Sequence, residues 1–241
     1  MQLIQYIIII ILTILGSLVA LINGLFDWKG SYHGKIMRSW SKMVLFCTGV
    51  KLDVTDLKNL KDANPALIVM NHESALDIPV IIAALPIDLR FIFKIELARF
   101  PIFGWALWLG NHIAINRSKP KQAIRQINEK SGKVISLGYN IVIAPEGTRS
   151  IDGKIQKFKK GGFKIAQNFD LPIISVTMIG NRFCNPKKSF SVKSGKLKIV
   201  IDKAVKPSDY ENIDICIKDI RKKMILSKEK YEPVIQEAFG A

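Results

Sequence analysis

The sequence predicts an α/β domain, in which helices cover a sheet, preceded by a hydrophobic helical segment that associates with a membrane. Two observations predict this arrangement. Short β-branched runs alternate with longer helical patterns after residue 50. Before that point, residues 1–26 contain no charged side chain. We therefore expect a membrane-anchoring helical segment over residues 1–50 and one domain of catalytic size over residues 51–241.

The first apolar stretch is long enough to reach through a membrane. As a helix, residues 3–26 would measure ~36 Å at ~1.5 Å per residue, against a hydrocarbon core of ~30 Å. This length suits either a tilted span or one arm of a re-entrant hairpin. A cleaved signal peptide is disfavoured, because the start lacks basic residues and the apolar run is too long. Basic residues follow the stretch, so, if the segment spans the membrane, we expect the domain on the cytoplasmic side of the cell membrane.

The next segment, residues 36–50, has the pattern of an amphipathic helix. It either lies shallowly in the membrane or packs on the domain. Strands are predicted where β-branched residues cluster, over residues 66–70, 89–93, 113–115, 140–144, 173–178 and 197–201. Helices are predicted over residues 79–85, 119–137, 161–168 and 212–231. The last of these should end before Pro233, because proline interrupts helical hydrogen bonding.

Charge and cysteine content narrow the function classes. The chain carries 36 basic and 20 acidic residues, a net charge of +16, and 49% of its residues are hydrophobic. Such a charge faces an anionic partner, and the apolar excess favours a membrane over nucleic acid. No RNA-binding aromatic block or zinc pattern occurs, so we expect no nucleic-acid partner. Cys47, Cys184 and Cys216 lie far apart and are expected to be reduced packing residues.

A histidine and an aspartate follow the strand predicted at residues 66–70. Inside one helix, His72 and Asp77 would point about 140° apart. They can meet if His72 lies on a turn, and the capping-box pattern of Ser74 and Asp77, with Pro79 behind it, puts the helix start after His72. Asp77 would then hold one imidazole nitrogen while the other removes a proton from a substrate hydroxyl. The alternative is a helix cap beside an ordinary surface histidine.

Other catalytic chemistries lack their signatures. No G-x-S-x-G turn occurs and no cysteine has an adjacent histidine, which disfavours a covalent acyl-enzyme. A zinc site at His72, Glu73 and Asp77 is disfavoured because no second histidine stands at a helical spacing. We expect neither a metal nor another cofactor.

A second cluster follows the strand predicted at residues 140–144. Glycine lets a backbone approach a ligand, and an arginine with nearby lysines suits a phosphate, although a solvated basic turn has the same composition. The spacing differs from that of a Walker loop. A third segment ends in an arginine after the strand at residues 113–115, where α/β sheets present ligand groups. The candidate residues of these two segments are Arg117, Glu146, Gly147, Thr148, Arg149 and Lys157.

Together, the three segments resemble the lysophospholipid acyltransferase family across residues 60–205, and most resemble its 1-acylglycerol-3-phosphate acyltransferases. His72 and Asp77 match the family's H-x-x-x-x-D block, in which histidine is the general base and aspartate its orienter. Arg117 matches the arginine that closes the second block, and residues 146–149 match the E-G-T-R block. Both blocks are associated with the glycerol phosphate of the acceptor. Residues 171–176 are similar to a fourth, proline-containing block.

The resemblance implies a single mixed sheet flanked by helices and an acyltransferase domain over residues 51–241. It implies acyl transfer from acyl-CoA or acyl-acyl carrier protein to the sn-2 hydroxyl of lysophosphatidate, which yields phosphatidate for phospholipid biosynthesis at the lipid bilayer. Arg117, Arg149 and Lys157 would hold the phosphate, and Glu146 would accept from a glycerol hydroxyl or orient Arg149. The alternatives are another lysophospholipid or a lyso-aminolipid as acceptor, and an inactive membrane lipid-binding scaffold.

Overall fold

A computed structural model describes residues 2–61, 63–116, 118, 120–187, 189 and 192–240 of the chain. Its helices are α1 Gln2–Phe26, α2 His33–Thr48, α3 Asp77–Ala84, α4 Phe103–Leu109, α5 Pro120–Ser136, α6 Phe163–Phe169, α7 Asn181–Cys184 and α8 Ile213–Ala238. Its strands are β1 Val50–Thr55, β2 Leu67–Met70, β3 Leu89–Lys94, β4 Ile113–Ile115, β5 Asn140–Ile143, β6 Ile173–Ile179 and β7 Gly195–Ile201. Short 3₁₀ turns cover Leu57–Leu60, Ile95–Arg99 and Pro207–Asp209.

The strands form one sheet in the order β1-β7-β6-β2-β5-β3-β4. β6 and β7 pair in an antiparallel manner, whereas β2 pairs in parallel with both β5 and β6, and β3 in parallel with β4 and β5. The expectation of a single mixed sheet flanked by helices is therefore confirmed. The carboxyl ends of β2, β3, β4, β5 and β6 lie along the same edge, which is where an α/β sheet presents ligand groups.

The central strands are buried on both faces. In β2, Leu67 and Val69 join a core under α5, α6 and α8, whereas Ile68 and Met70 join a second core under α2 and α3. Successive side chains of a strand point to opposite faces, so this alternation follows from strand geometry. Because both faces need apolar side chains, these strands appear in the sequence as continuous apolar runs.

The first helix lies against the domain. α1 packs on α2 and α4, with Gly24 against Leu109 and the Trp40 indole Nε1 donating to Thr13 Oγ1 at 3.3 Å. α2 in turn packs on α3 and β1. In the segment at residues 36–50, α2 thus packs on the domain, while its Phe46 side chain remains 87% exposed.

A buried polar cluster fastens the α1–α2 turn to the sheet. Arg90 on β3 donates to the Gly30 carbonyl at 2.8 Å and stacks on the Tyr139 ring at 3.7 Å. Nearby, the Nε2 atoms of His33 and His112 lie 3.0 Å apart. Burial lowers the pKa of His33 to about 4 and that of His112 well below its usual value, so both rings are neutral packing groups.

Most predicted elements occur within two residues of their expected bounds, and two differences concern β1 and the end of α8. β1 was not predicted, because Lys51 and Asp53 interrupt a half-exposed edge strand. The expected end of the last helix before Pro233 is wrong, since α8 continues to Ala238. Phe239, just beyond α8, stacks on Phe183 at 5.8 Å, and this docking offsets the hydrogen bond that proline cannot make.

Candidate active site

Two of the predicted segments meet at the carboxyl edge of the sheet. β2 and β5 are neighbours, with Val69 opposite Ile143, so the loops that follow them leave the sheet side by side. The Ser150 N–H donates to the His72 carbonyl at 2.7 Å, and the His72 N–H donates to Glu146 Oε1 at 2.9 Å. The loop that carries the histidine and the loop that carries Glu146 are thus joined on both sides of His72.

The His72 ring is held by Asp77. The His72 Nδ1 atom lies 2.7 Å from Asp77 Oδ2. Since a carboxylate only accepts, Nδ1 carries the proton and Nε2 has a lone pair that can accept one. The His72 side chain is 26% exposed, so a substrate hydroxyl can approach it, whereas the Asp77 side chain is 1% exposed. This geometry is that of a general base with its orienting carboxylate.

Four donors fix the Asp77 carboxylate. Besides His72, the N–H groups of Glu73 and Ser74 donate to Oδ2 at 2.7 and 3.0 Å, and the Asn181 amide donates to Oδ1 at 2.6 Å. The predicted capping box forms only in part. The Ser74 hydroxyl does not reach the Asp77 N–H, because it donates to the Asn185 carbonyl and accepts from the Leu76 N–H, and α3 begins at Asp77 itself.

Two asparagines support the turn, and the sequence analysis identified neither. The Asn71 side chain accepts from the Met178 N–H at 2.8 Å and donates to the Met178 carbonyl at 2.9 Å, which fixes the start of the turn to β6. Asn181 opens α7 directly after β6. Its distance of 104 residues from Asp77 along the chain leaves no local pattern by which sequence could find it.

Glu146 holds its loop in place. Its Oε2 atom accepts from the Gln156 N–H at 2.9 Å while Oε1 accepts from His72. Burial raises the pKa of Glu146 above its ordinary value, although the N–H groups of Gln156 and His72 act in the opposite direction. Both oxygens therefore bind the backbone of the protein, and the side chain connects the two sides of the site.

The next residue requires glycine. Gly147 has φ +79°, and a Cβ there would lie 2.8 Å from the Lys159 Nζ. Lys157 was the predicted binding residue of this lysine run, whereas the amine of Lys159 lies beside the turn in the structure. Lys157 is exposed, Thr148 is exposed and Arg149 is half-buried.

The basic side chains near the turn carry uncompensated charge. Within the part of the chain that the structure describes, no carboxylate forms an ion pair with Arg149 or Lys157. The Arg149 carbonyl accepts from Lys187 Nζ at 2.7 Å, which brings a further cation to the loop. Arg117 lies outside the described residues, and the strand before it, β4, ends at the same edge of the sheet. These charges suit an anionic ligand.

Metal and thiol chemistry find no support in this geometry. Among the residues with described positions, no three His, Cys, Asp or Glu side chains come together in a way that could hold a metal ion. Cys184 and Cys216 are buried, Cys47 is half-buried, and all three are unpaired. Burial raises the pKa of Cys184 to about 12, which disfavours its thiolate.

A family model described as Acyltransferase matches residues 51–179, more than half of the chain. The chain belongs to the acyltransferase family. The match includes His72, Asp77 and the whole E-G-T-R loop. The resemblance inferred from the motifs is thereby confirmed.

Several relatives of this chain are named 1-acyl-sn-glycerol-3-phosphate acyltransferases. The 1-acyl-sn-glycerol-3-phosphate acyltransferase of Pseudomonas aeruginosa is 29% identical over 194 residues, 79% of this chain and 74% of that protein. The enzyme of the same name from Cocos nucifera is 30% identical over 185 residues, 76% of this chain. The chain spans 58% of that relative and 57% of a chloroplast relative from Brassica napus.

The fold also matches a solved member of the family. The crystal structure of the 1-acyl-sn-glycerophosphate (LPA) acyltransferase PlsC from Thermotoga maritima matches with a TM-score of 0.77 and 25% sequence identity. The match covers 95% of this chain and 97% of that one. The similarity therefore includes the N-terminal helices as well as the sheet.

Proposed function

We propose that this acyltransferase-family protein is a 1-acyl-sn-glycerol-3-phosphate acyltransferase. It transfers an acyl group from a thioester to the sn-2 hydroxyl of lysophosphatidate and forms phosphatidate. The observation that carries the proposal is the 2.7 Å contact between His72 Nδ1 and Asp77 Oδ2, beside a loop of uncompensated basic charge. The names of the Pseudomonas aeruginosa and Thermotoga maritima relatives support the choice of acceptor.

His72 is the general base of the proposed reaction. Its Nε2 atom takes the proton of the sn-2 hydroxyl as that oxygen attacks the thioester carbonyl carbon, a contribution typically of ~10²–10⁴-fold. Asp77 stabilises the imidazolium that results. The tetrahedral intermediate then breaks its carbon–sulfur bond, and the thiolate takes the proton from His72. The products are phosphatidate and a free thiol, and His72 returns to its starting state.

The basic residues orient the acceptor. Arg149 and Lys157, together with Arg117, bind the phosphate of lysophosphatidate, and Gly147 and Thr148 let the backbone approach it. Holding the phosphate brings the sn-2 hydroxyl to His72, so that the reaction of two molecules becomes effectively local. Glu146 contributes by fixing this loop to the backbone of His72.

The N-terminal segment attaches the enzyme to its substrate surface. By length and composition, Ile4–Phe26 is the one helix among the described residues that could cross a membrane, and little of it is buried. Because α1 also packs along α2 and α4, we propose that it lies in the membrane beside the domain rather than as a separate span. Its exposed apolar residues are Ile4, Ile7, Ile10, Ile11, Ile14, Leu15, Val19, Ile22, Leu25 and Phe26.

Residues 1–50 thus form the anchor and residues 51–241 the acyltransferase domain, on the cytoplasmic side of the cell membrane. The basic excess after α1 supports this side, because the anionic lipids of the cytoplasmic leaflet attract basic segments. The donor is a thioester on an anionic carrier, either coenzyme A or acyl carrier protein, since the net charge of +16 suits both.

The test measures phosphatidate formation by purified, detergent-solubilised protein. The acceptor is 1-acylglycerol 3-phosphate, and acyl-CoA and acyl-acyl carrier protein are offered separately. We expect turnover with at least one donor and its loss in His72→Ala. Folded wild-type protein that is inactive with both donors would contradict the acceptor, and turnover of other lysolipids in parallel reactions would identify the true one. Full activity in His72→Ala would contradict the mechanism.

A further inference from the structure

A buried lysine from the far end of the chain reaches the turn that carries His72. Lys228 on α8 is 5% exposed, and its Nζ atom contacts Glu73 Oε1 and lies 3.3 Å from Glu232 Oε1. Glu73 itself is 1% exposed and directly follows His72. Fully buried lysines are rare, and those that occur are paired. Lys228 forms its pair with the residue next to the proposed general base, which suggests a role in the site.

Two series of contacts, or arms, lead from Lys228 to Asp77, and the first arm runs through Glu73. The Glu73 backbone N–H donates to Asp77 Oδ2 at 2.7 Å. The Glu73 side chain accepts from the Asn71 amide at 3.1 Å, and Asn71 is bound to β6. Lys228 therefore fixes the residue that connects Asn71 to the oxygen that holds the His72 ring.

The second arm runs through Glu232. Its Oε1 atom accepts from Arg182 Nε at 3.2 Å. Arg182 follows Asn181 on α7, and the Asn181 amide donates to Asp77 Oδ1 at 2.6 Å. Both arms start at Lys228 and end on Asp77, one on each carboxylate oxygen.

The pair brings no obvious gain in stability. Desolvation of two buried charges commonly cancels their attraction, and well-packed apolar residues often replace such pairs without loss. Burial raises the pKa of Glu73 to about 7, and Lys228 acts in the opposite direction and favours the charged carboxylate. Without Lys228, either an uncompensated charge lies beside Asp77 or Glu73 becomes protonated and its contacts change.

We propose that Lys228 is a positioning residue for the acyl-transfer reaction. Through Glu73 and through Glu232 with Arg182, it fixes both oxygens of Asp77 and thereby the direction in which His72 presents Nε2. The role deepens the proposed function and rests on it. Lys228 lies outside residues 51–179, so the family match does not include it.

The test compares Lys228→Met with Lys222→Met, which removes an exposed charge from the same helix. We expect Lys228→Met to lower kcat by ~10²-fold, the effect of a small misplacement of reacting groups, with an unchanged KM for lysophosphatidate. Lys222→Met should retain wild-type kcat. Adding Glu73→Gln to Lys228→Met removes the uncompensated charge and keeps the oxygen that Asn71 binds, so it should restore most of the lost kcat.

A second readout does not depend on turnover. The proton on His72 Nδ1, which lies in the short contact with Asp77, should give a low-field NMR resonance that is assigned by its loss in His72→Ala. We expect this resonance to shift or broaden in Lys228→Met and to stay unchanged in Lys222→Met. Wild-type kcat and an unchanged resonance in Lys228→Met would overturn the proposal, as would a loss of kcat that only follows loss of folded protein. Wild-type protein without turnover would overturn the proposed function instead, and the resonance would still decide the role of Lys228.

Discussion

Replacing Asp77 by asparagine removes one charge from the site and keeps the shape of the side chain. The new amide oxygen can take the place of Oδ2 and accept from His72, Glu73 and Ser74. The new NH₂ group then faces Asn181, whose Oδ1 is buried and has no hydrogen-bond partner among the described residues. A rotation of the Asn181 amide by a half-turn pairs the two groups. The variant should therefore fold.

The loss of activity follows from the loss of charge. The variant keeps a neutral hydrogen bond, which contributes about 0.5–1.5 kcal/mol, in place of a charged one, which contributes about 1.5–3 kcal/mol. At ~1.4 kcal/mol per factor of ten, a difference of about 1–1.5 kcal/mol should lower kcat by about 5–12-fold. His72→Ala removes the base itself and should cost ~10²–10⁴-fold. The KM for lysophosphatidate should stay unchanged, because Arg149 and Lys157 lie on a different loop.

The assay follows thiol release and phosphatidate formation at saturating substrate, with the unfolding temperature measured in parallel. Asp170→Asn, at an exposed position, serves as the control for an aspartate-to-asparagine change. A folded Asp77→Asn variant with wild-type kcat would refute the argument that the charge of Asp77 assists His72.

Four further outcomes are expected. Arg149→Ala should raise the KM for lysophosphatidate at least ~10-fold, the worth of a charge-assisted bond, without changing the KM of the donor. Gly147→Ala should lose about 1–2 kcal/mol of stability from its positive φ and also lose activity, because its Cβ displaces Lys159. Glu73 has a pKa of about 7 in the folded protein against an ordinary 4.5, so between these pH values the native state binds more protons than the unfolded state. The stability of the wild type relative to Glu73→Gln should therefore fall as pH rises through this range, by up to about 1.4 kcal/mol per pH unit. Ile7→Asp combined with Ile14→Asp should reduce co-flotation with anionic lipid vesicles.

Three of these variants have a matched control. Gly138→Ala has the same φ of +79° but open space around its Cβ, so it should lose stability and keep activity. Leu226→Asp combined with Val234→Asp places the same two charges on exposed apolar positions of α8 and should leave flotation unchanged. Lys164→Ala removes an exposed charge from α6 and should not change either KM. Parallel pH-stability curves for wild type and Glu73→Gln would contradict the raised pKa, since contributions of His33 are common to both.

The sequence predicted those elements whose own residues show both the local conformation and the burial of the segment. β2 and β5 are buried on both faces, so their apolar runs are plain in the sequence, and the turn after β2 follows from the helix-start pattern at Ser74, Asp77 and Pro79. The half-exposed strand β1 and the continuation of α8 beyond Pro233 depend on distant packing partners, and local patterns do not report them.

Within the site, too, contacts between residues close in sequence could be predicted and contacts between distant residues could not. His72 and Asp77 are close in sequence, so their pairing could be proposed from the helix-start pattern, and the family resemblance favoured it over an ordinary surface histidine. Glu73 and Lys228 meet across 155 residues. Each alone resembles an ordinary surface charge in the sequence, and only the fold brings the two together in a buried position.

The reach of α8 to the His72 turn also sets an order of events during synthesis. The apolar helix α1 leaves the ribosome while Lys228 has yet to be joined to the chain, and strand β1 has to wait for β7, where Val50 lies opposite Gly195. Contacts between such distant parts of a chain form late in folding. Under the proposed anchoring and mechanism, the nascent protein therefore reaches the bilayer before Lys228 fixes the turn that carries His72.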